Sequence, residues 1–128
     1  MGTLGNATDV GDMTGANSGG GQGVCSDNTT GLVMGGNRAD TWNPNIDKVT
    51  IATAGNASDF GDLTQDVAYA GQASNATNAR GVCMGGYSPS GQYNNIEYVT
   101  ISSPGNATDF GDLSAVIQYC AGVSGAAS

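Results

Sequence analysis

The chain contains no histidine, and only three of its 128 residues are cationic: Arg38, Lys48 and Arg80. With eleven acidic residues the formal charge is −8. Binding to a phosphate backbone draws its affinity from clustered Lys and Arg, so no nucleic-acid partner is expected, nor adsorption to anionic lipid. No apolar run is long enough to span a bilayer as a helix. Residues 1–20 lack the basic and apolar regions of an ordinary secretory signal. Without His, and with no pair of its three cysteines at ligand spacing, a zinc site is not expected. The many serines have no His or Lys base placed by a motif, which leaves nucleophilic catalysis without support. Gly19 to Gly23 is glycine-rich, but the Lys-Ser/Thr ending of a phosphate loop is missing.

Cysteine is scarce and irregularly placed. Cys25, Cys83 and Cys120 align with Asn75, Val33 and Ala70 once the repeat described below is recognised. A disulfide framework would be even in number and systematic, so small buried thiols are expected. Good helix formers are few, and no stretch sustains a 3.6-residue apolar period. Twenty-two glycines punctuate short apolar clusters. An all-β fold follows.

What the chain has in abundance is itself. Gly105-Asn106-Ala107-Thr108-Asp109-Phe110-Gly111-Asp112-Leu113 recurs with one change as Gly55 to Leu63, and with two changes as Gly5 to Met13. The spacing is 50 residues each time. A fixed period of that length marks a repeat architecture. Gly and Asn open the unit with turn chemistry, the Asp side chain can bond backbone two residues on, and Phe60 and Leu63 are its apolar anchors. Gly61 stands where a strand bulges or passes close to another backbone. Val10 and Met13 are looser anchors. Asn106, Asp109 and Asp112 offer three side-chain oxygens, a thin basis for a calcium loop, which needs six to eight. The expected role of these recurring residues is structural, with no metal or other cofactor.

Four strands are predicted per period. The first is small-residue rich: Val67 to Ala76, with counterparts at Ala16 to Cys25 and Val116 to Gly125. The second is Arg80 to Gly86, matching Thr30 to Gly36. The third is Ile96 to Ile101, matching Ile46 to Ile51, β-branched and aromatic. The fourth is the Asp-Phe-Gly-Asp-Leu segment. The chain thus divides into an outer strand at 1–14, complete units at 15–64 and 65–114, and an inner strand at 115–128.

A strand ending in Gly35-Gly36 or Gly85-Gly86, a variable loop, an Ile-Glu-Tyr strand with Tyr98, and then a strand bearing Phe60 or Phe110 resembles the kelch repeat. Kelch repeats are about 50 residues long and each builds one four-stranded propeller blade. Lys48 departs from the pattern at the position of Tyr98. The Gly-Asn-Ala-Thr-Asp-Phe-Gly-Asp-Leu wording is similar to that of kelch-like repeat proteins of marine bacteriophages. The resemblance implies two complete antiparallel blades plus flanking strands, and a non-enzymatic virion part, such as a tail fibre or appendage. A glycan-binding lectin outside any virion is the alternative; either would work on a virion or outside the cell. Two blades are too few to close a ring, so self-association is expected.

The nine-residue loops at 37–45 and 87–95 diverge, while the strands around them match. They hold the single Trp and two of the five Tyr. Trp42, Asp40, Arg38, Tyr87 and Tyr93 are therefore the candidate ligand-binding residues. Aromatic faces cover the apolar side of a sugar while amides and acids bond its hydroxyls. A bacterial surface polysaccharide is the expected partner.

Overall fold

The computed structural model describes residues 5–16, 23–38, 41–75 and 79–122. They form strands and turns only, as expected of the composition. In the first repeat, β1 (Gly23–Ser26), β2 (Thr30–Met34), a short hairpin of β3 (Asn37–Arg38) and β4 (Thr41–Trp42), β5 (Asn45–Thr50) and β6 (Ser58–Asp62) follow in chain order. The second repeat gives β7 (Gly71–Asn75), β8 (Arg80–Met84), the hairpin β9 (Tyr87–Ser88) and β10 (Gly91–Gln92), β11 (Asn95–Thr100) and β12 (Thr108–Asp112). The long strands make two four-stranded antiparallel meanders, β1-β2-β5-β6 and β7-β8-β11-β12. No closed ring forms among the described residues.

Several strands differ from the sequence reading: the second ends at Met34 and Met84, the third runs Asn45–Thr50 and Asn95–Thr100, and residues 5–14 and 116–122, expected as an outer and an inner strand, form none because no neighbouring strand pairs with them. The first strand begins at Gly71 rather than Val67, because Val67 to Ala70 spends its backbone on the hairpin and glycines of the same repeat and the one before. Ala68 and Tyr87 exchange hydrogen bonds at 3.0 and 2.9 Å, and Val67 O accepts the Gly36 N–H at 2.8 Å. The variable loops are not plain loops but contain the two small hairpins, closed by Asn37 opposite Trp42 and Tyr87 opposite Gln92. Residues 17–22 of the predicted first strand, Ala76 and residues 123–125 lie outside the described residues.

Glycine explains how the repeats approach. Ile46 pairs with Gly61 and Asp47 with Asp59, so Phe60 is the extra residue of a bulge; Phe110 holds the same place in β12. Gly61 has φ +147°, and a Cβ there would sit 2.4 Å from Gly105 O. Only glycine lets the next repeat's backbone land on the bulge. At Gly35, φ +67°, the Cβ would lie 2.4 Å from Val67 O.

The two sheets share one core. Cys25, Leu32, Met34, Ile46 and Phe60 of the first repeat pack with Leu63, Val67, Ala70, Cys83, Val99 and Ile101 of the second and its approach. One face of the first sheet therefore meets the opposite face of the second. Gly81 marks the contact: a Cβ there would be 2.6 Å from Cys25 Sγ. Polar ties seal the seam. Gln72 Nε2 donates to Met34 O at 2.8 Å, and the Ser74 hydroxyl donates to Ser26 O at 2.8 Å while accepting Ser26 N–H at 3.1 Å.

Candidate binding cleft

Between the hairpin of the first repeat and that of the second lies an open cleft of about 680 Å³. Thr41, Trp42, Pro44 and Leu63 line it together with Ser88, Pro89, Ser90 and Tyr93 of the second hairpin and its flank, and with Thr64, Gln65 and Asp66. Local structure fixes these side chains. Asn43 N donates to Gly36 O at 3.2 Å and Leu63 N to Pro44 O at 2.8 Å, holding the β4–β5 turn against the end of β6. Tyr93 N donates to Gly86 O at 2.9 Å, and the Tyr93 and Ser88 hydroxyls pair at 2.9 Å.

Trp42 is wedged edge-on between two tyrosines. Its ring centroid is 5.4 Å from that of Tyr87 and 5.6 Å from that of Tyr69, both near T-shaped; Tyr69 in turn lies 4.7 Å from Tyr119. Edge-to-face rings at these distances stabilise one another, which orients the indole before any ligand arrives. Tyr69 has φ +59° and Tyr119 has φ +58°, a left-handed conformation uncommon for a bulky residue. Such backbone outliers cluster at functional sites. Sequence reading passed over Tyr69; its recurrence as Tyr119, 50 residues on, was the available signal.

Of the residues singled out from sequence, the structure brings Trp42 and Tyr93 to the cleft and sets Tyr87 behind Trp42. Arg38 is otherwise engaged. Its Nη2 donates to Asp47 Oδ2 at 2.6 Å and its Nη1 to Thr14 Oγ1 at 2.7 Å, so its charge is spent on a buried carboxylate rather than offered to a ligand. Asp40 lies outside the described residues. Asn106 and Asp109 spend a side-chain oxygen each on backbone. Asn106 Oδ1 accepts Asp62 N–H at 3.1 Å, and Asp109 Oδ1 accepts Gly111 N–H at 3.0 Å, as Asp9 and Asp59 do for Gly11 and Gly61. Among the described residues no cluster of three His, Cys, Asp or Glu is placed to hold a metal.

Two buried acids also escaped the sequence reading. Asp47 and Glu97 occupy the same position of successive repeats and are buried. Each accepts a backbone N–H from the end of the preceding unit: Thr14 N to Asp47 Oδ2 at 3.2 Å, Thr64 N to Glu97 Oε2 at 2.7 Å. Arg38 balances Asp47, while Asn95 Nδ2 donates to Glu97 Oε1 at 3.1 Å. They are repeat-to-repeat clasps. Their signal was an acid at one fixed position inside the most apolar strand of both repeats.

The thiols are unbonded. Burial pushes the Cys25 thiol up to about 12, and burial with the nearby Glu97 carboxylate raises Cys83 further. Cys120 is half-buried, its Sγ 3.4 Å from Met84 O.

A scan against protein-family models gives no match, and a search of curated proteins gives none. The cleft's chemistry must therefore be taken from its own groups: an indole and a phenol, an amide, a carboxylate and hydroxyls.

Proposed function

We infer that the chain is a non-enzymatic binding module whose two sheets serve as consecutive kelch-like blades, and that the cleft between their hairpins takes a carbohydrate chain. The observation carrying this reading is the convergence of Trp42 and Tyr93, from different repeats, on one open cleft bordered by Gln65, Asp66 and Ser90. Sugars present apolar C–H faces and hydroxyl edges. Aromatic rings cover the first, and amide, carboxylate and hydroxyl groups bond the second. The open shape suits a polymer better than a monosaccharide. Repetition of the cleft between successive blades would add avidity without new contacts. A bacterial surface polysaccharide is the partner class, and the repeat wording favours a setting in a virion appendage over a free lectin.

The test is binding of the intact chain to immobilised bacterial surface polysaccharides, beside Trp42→Ala and Tyr93→Ala. Loss of binding in both variants, with the thermal transition kept, supports the cleft. Unchanged binding removes it.

A further inference from the structure

The seam between the repeats has two chemically distinct sides, and the outer faces of the molecule present one side each. In the seam, Phe60 is 3% exposed and Ile101 1%. Their counterparts one period away are uncovered: Phe110 is 60% exposed and Ile51 57%. Val24, on β1 of the first sheet, is 61% exposed, and Ile117, counterpart of the buried Val67, is 44%. The backbone repeats the pattern. Gly105 N and Ala107 N donate to Phe60 O and Asp62 O at 2.8 Å each. Space beside Gly111 is open, whereas a Cβ at Gly11 or Gly61 would strike the following Gly55 or Gly105.

We propose that a second copy of this chain docks head to tail, its Ile51 face on the Phe110 face of the first, repeating the internal seam. The two faces carry the repeat equivalents of the seam residues, Phe110 for Phe60, Ile51 for Ile101 and Val49 for Val99, so the apolar contact and the backbone bonds of the seam can recur; the Ser74–Ser26 tie does not, because Val24 stands in the place of Ser74. One segment stands in the way. Residues 9–14 of the arriving copy lie on its own first repeat as Phe60 to Thr64 lie on the second: Gly55 N donates to Val10 O at 2.7 Å, Ala57 N to Asp12 O at 2.8 Å, and Thr14 reaches Asp47. This arm is a stand-in for a preceding repeat. Phe110 to Ser114 of the first copy displaces it, forms the same backbone bonds, and buries Phe110 where the arm offers only Val10, itself 62% exposed. The contact is heterologous, so copies add in one direction until a ring closes or an open array grows.

The experiment uses sedimentation velocity over a concentration series on the full chain, Phe110→Asp and Ile51→Asp. Both positions are exposed in a single copy, so each variant keeps its thermal transition. The native chain gives species larger than a monomer. Each variant weakens association roughly thirtyfold or more, as loss of a central anchor does. Mixing the two monomeric variants restores a dimer and nothing larger, because each retains the face the other lacks. A monomeric native chain, or a mixture that stays monomeric, overturns the proposal. Register is read independently by mild oxidation of Asp112→Cys mixed with Ala57→Cys, with the native chain treated alike to account for Cys120. A cross-link specific to that mixture supports displacement of the arm. A cross-link of Asp112→Cys with Ala7→Cys in its place means the arm itself docks, and overturns it.

Discussion

The side-chain oxygen of Asn106 accepts the backbone N–H of Asp62 at 3.1 Å, and Asn56 does the same for Asp12 at 3.0 Å. The Asn of each nonapeptide therefore bonds the second Asp of the nonapeptide before it. Asn106→Ala leaves the Asp62 N–H without this partner and lowers stability by about 1 kcal/mol, the usual worth of one such bond. Chemical denaturation checks the value. Because this oxygen is committed to backbone, melting with and without EDTA should coincide; a large drop with EDTA would mean that Asn106, Asp109 and Asp112 hold a cation after all.

Gly81 of the second sheet lies directly against the Cys25 side chain of the first. Gly81→Ala places a methyl 2.6 Å from the buried Cys25 Sγ and 3.4 Å from Val99. Neither neighbour has free space, so the cost is roughly 1–3 kcal/mol of overpacking. The same change at Gly31 meets Val49 at 3.0 Å on a half-covered face and should cost less. A comparison of the two midpoints in urea tests whether the seam is the tighter surface.

The period, the all-β character and the antiparallel order were legible in the sequence because they rest on local rules: turn residues, glycine spacing and β-branched runs. The two hairpins were not, since two-residue strands leave no alternation to read. Asp47 and Glu97 drew no notice within their apolar strands, and only the preceding repeat's Thr14 and Thr64 reveal that they are buried clasps. Phe60 and Phe110 sit in nearly identical words yet differ from buried to exposed. What separates them is the neighbour, which a local motif does not encode. Trp42 and Tyr93 could be singled out as loop aromatics, but their meeting across a repeat boundary is a product of the seam.

Asp27 shapes the β1–β2 turn. Its Oδ1 accepts the N–H of Thr29 and of Thr30 at 2.7 Å each, and these bonds lower its carboxyl below the ordinary 3.8. A depressed folded-state value stabilises the fold above the unfolded value, and the contribution is lost as pH falls through the folded one. Asp27→Asn should therefore melt lower than the native chain at pH 6, and the difference should shrink below about pH 4. A difference independent of pH would assign the effect to shape rather than charge.

The thiols should react in a fixed order. With the Cys25 thiol pushed up to about 12 and Cys83 raised further, neither yields appreciable thiolate at pH 8, while Cys120 is half-buried. Iodoacetamide followed by peptide mass analysis should label Cys120 in the folded chain and all three only in denaturant. Early labelling of Cys25 would show that the seam opens.

The most direct measurement of the cleft's role is a ¹H–¹⁵N correlation titration of the chain with oligosaccharides cut from bacterial surface polysaccharides. Perturbations should concentrate at the Trp42 indole N–H and at the amides of Gln65, Asp66, Ser90 and Tyr93, with the outer strands β6 and β12 unmoved. Shifts that spare Trp42 and Tyr93 and fall elsewhere on the surface would contradict a binding site between the repeats.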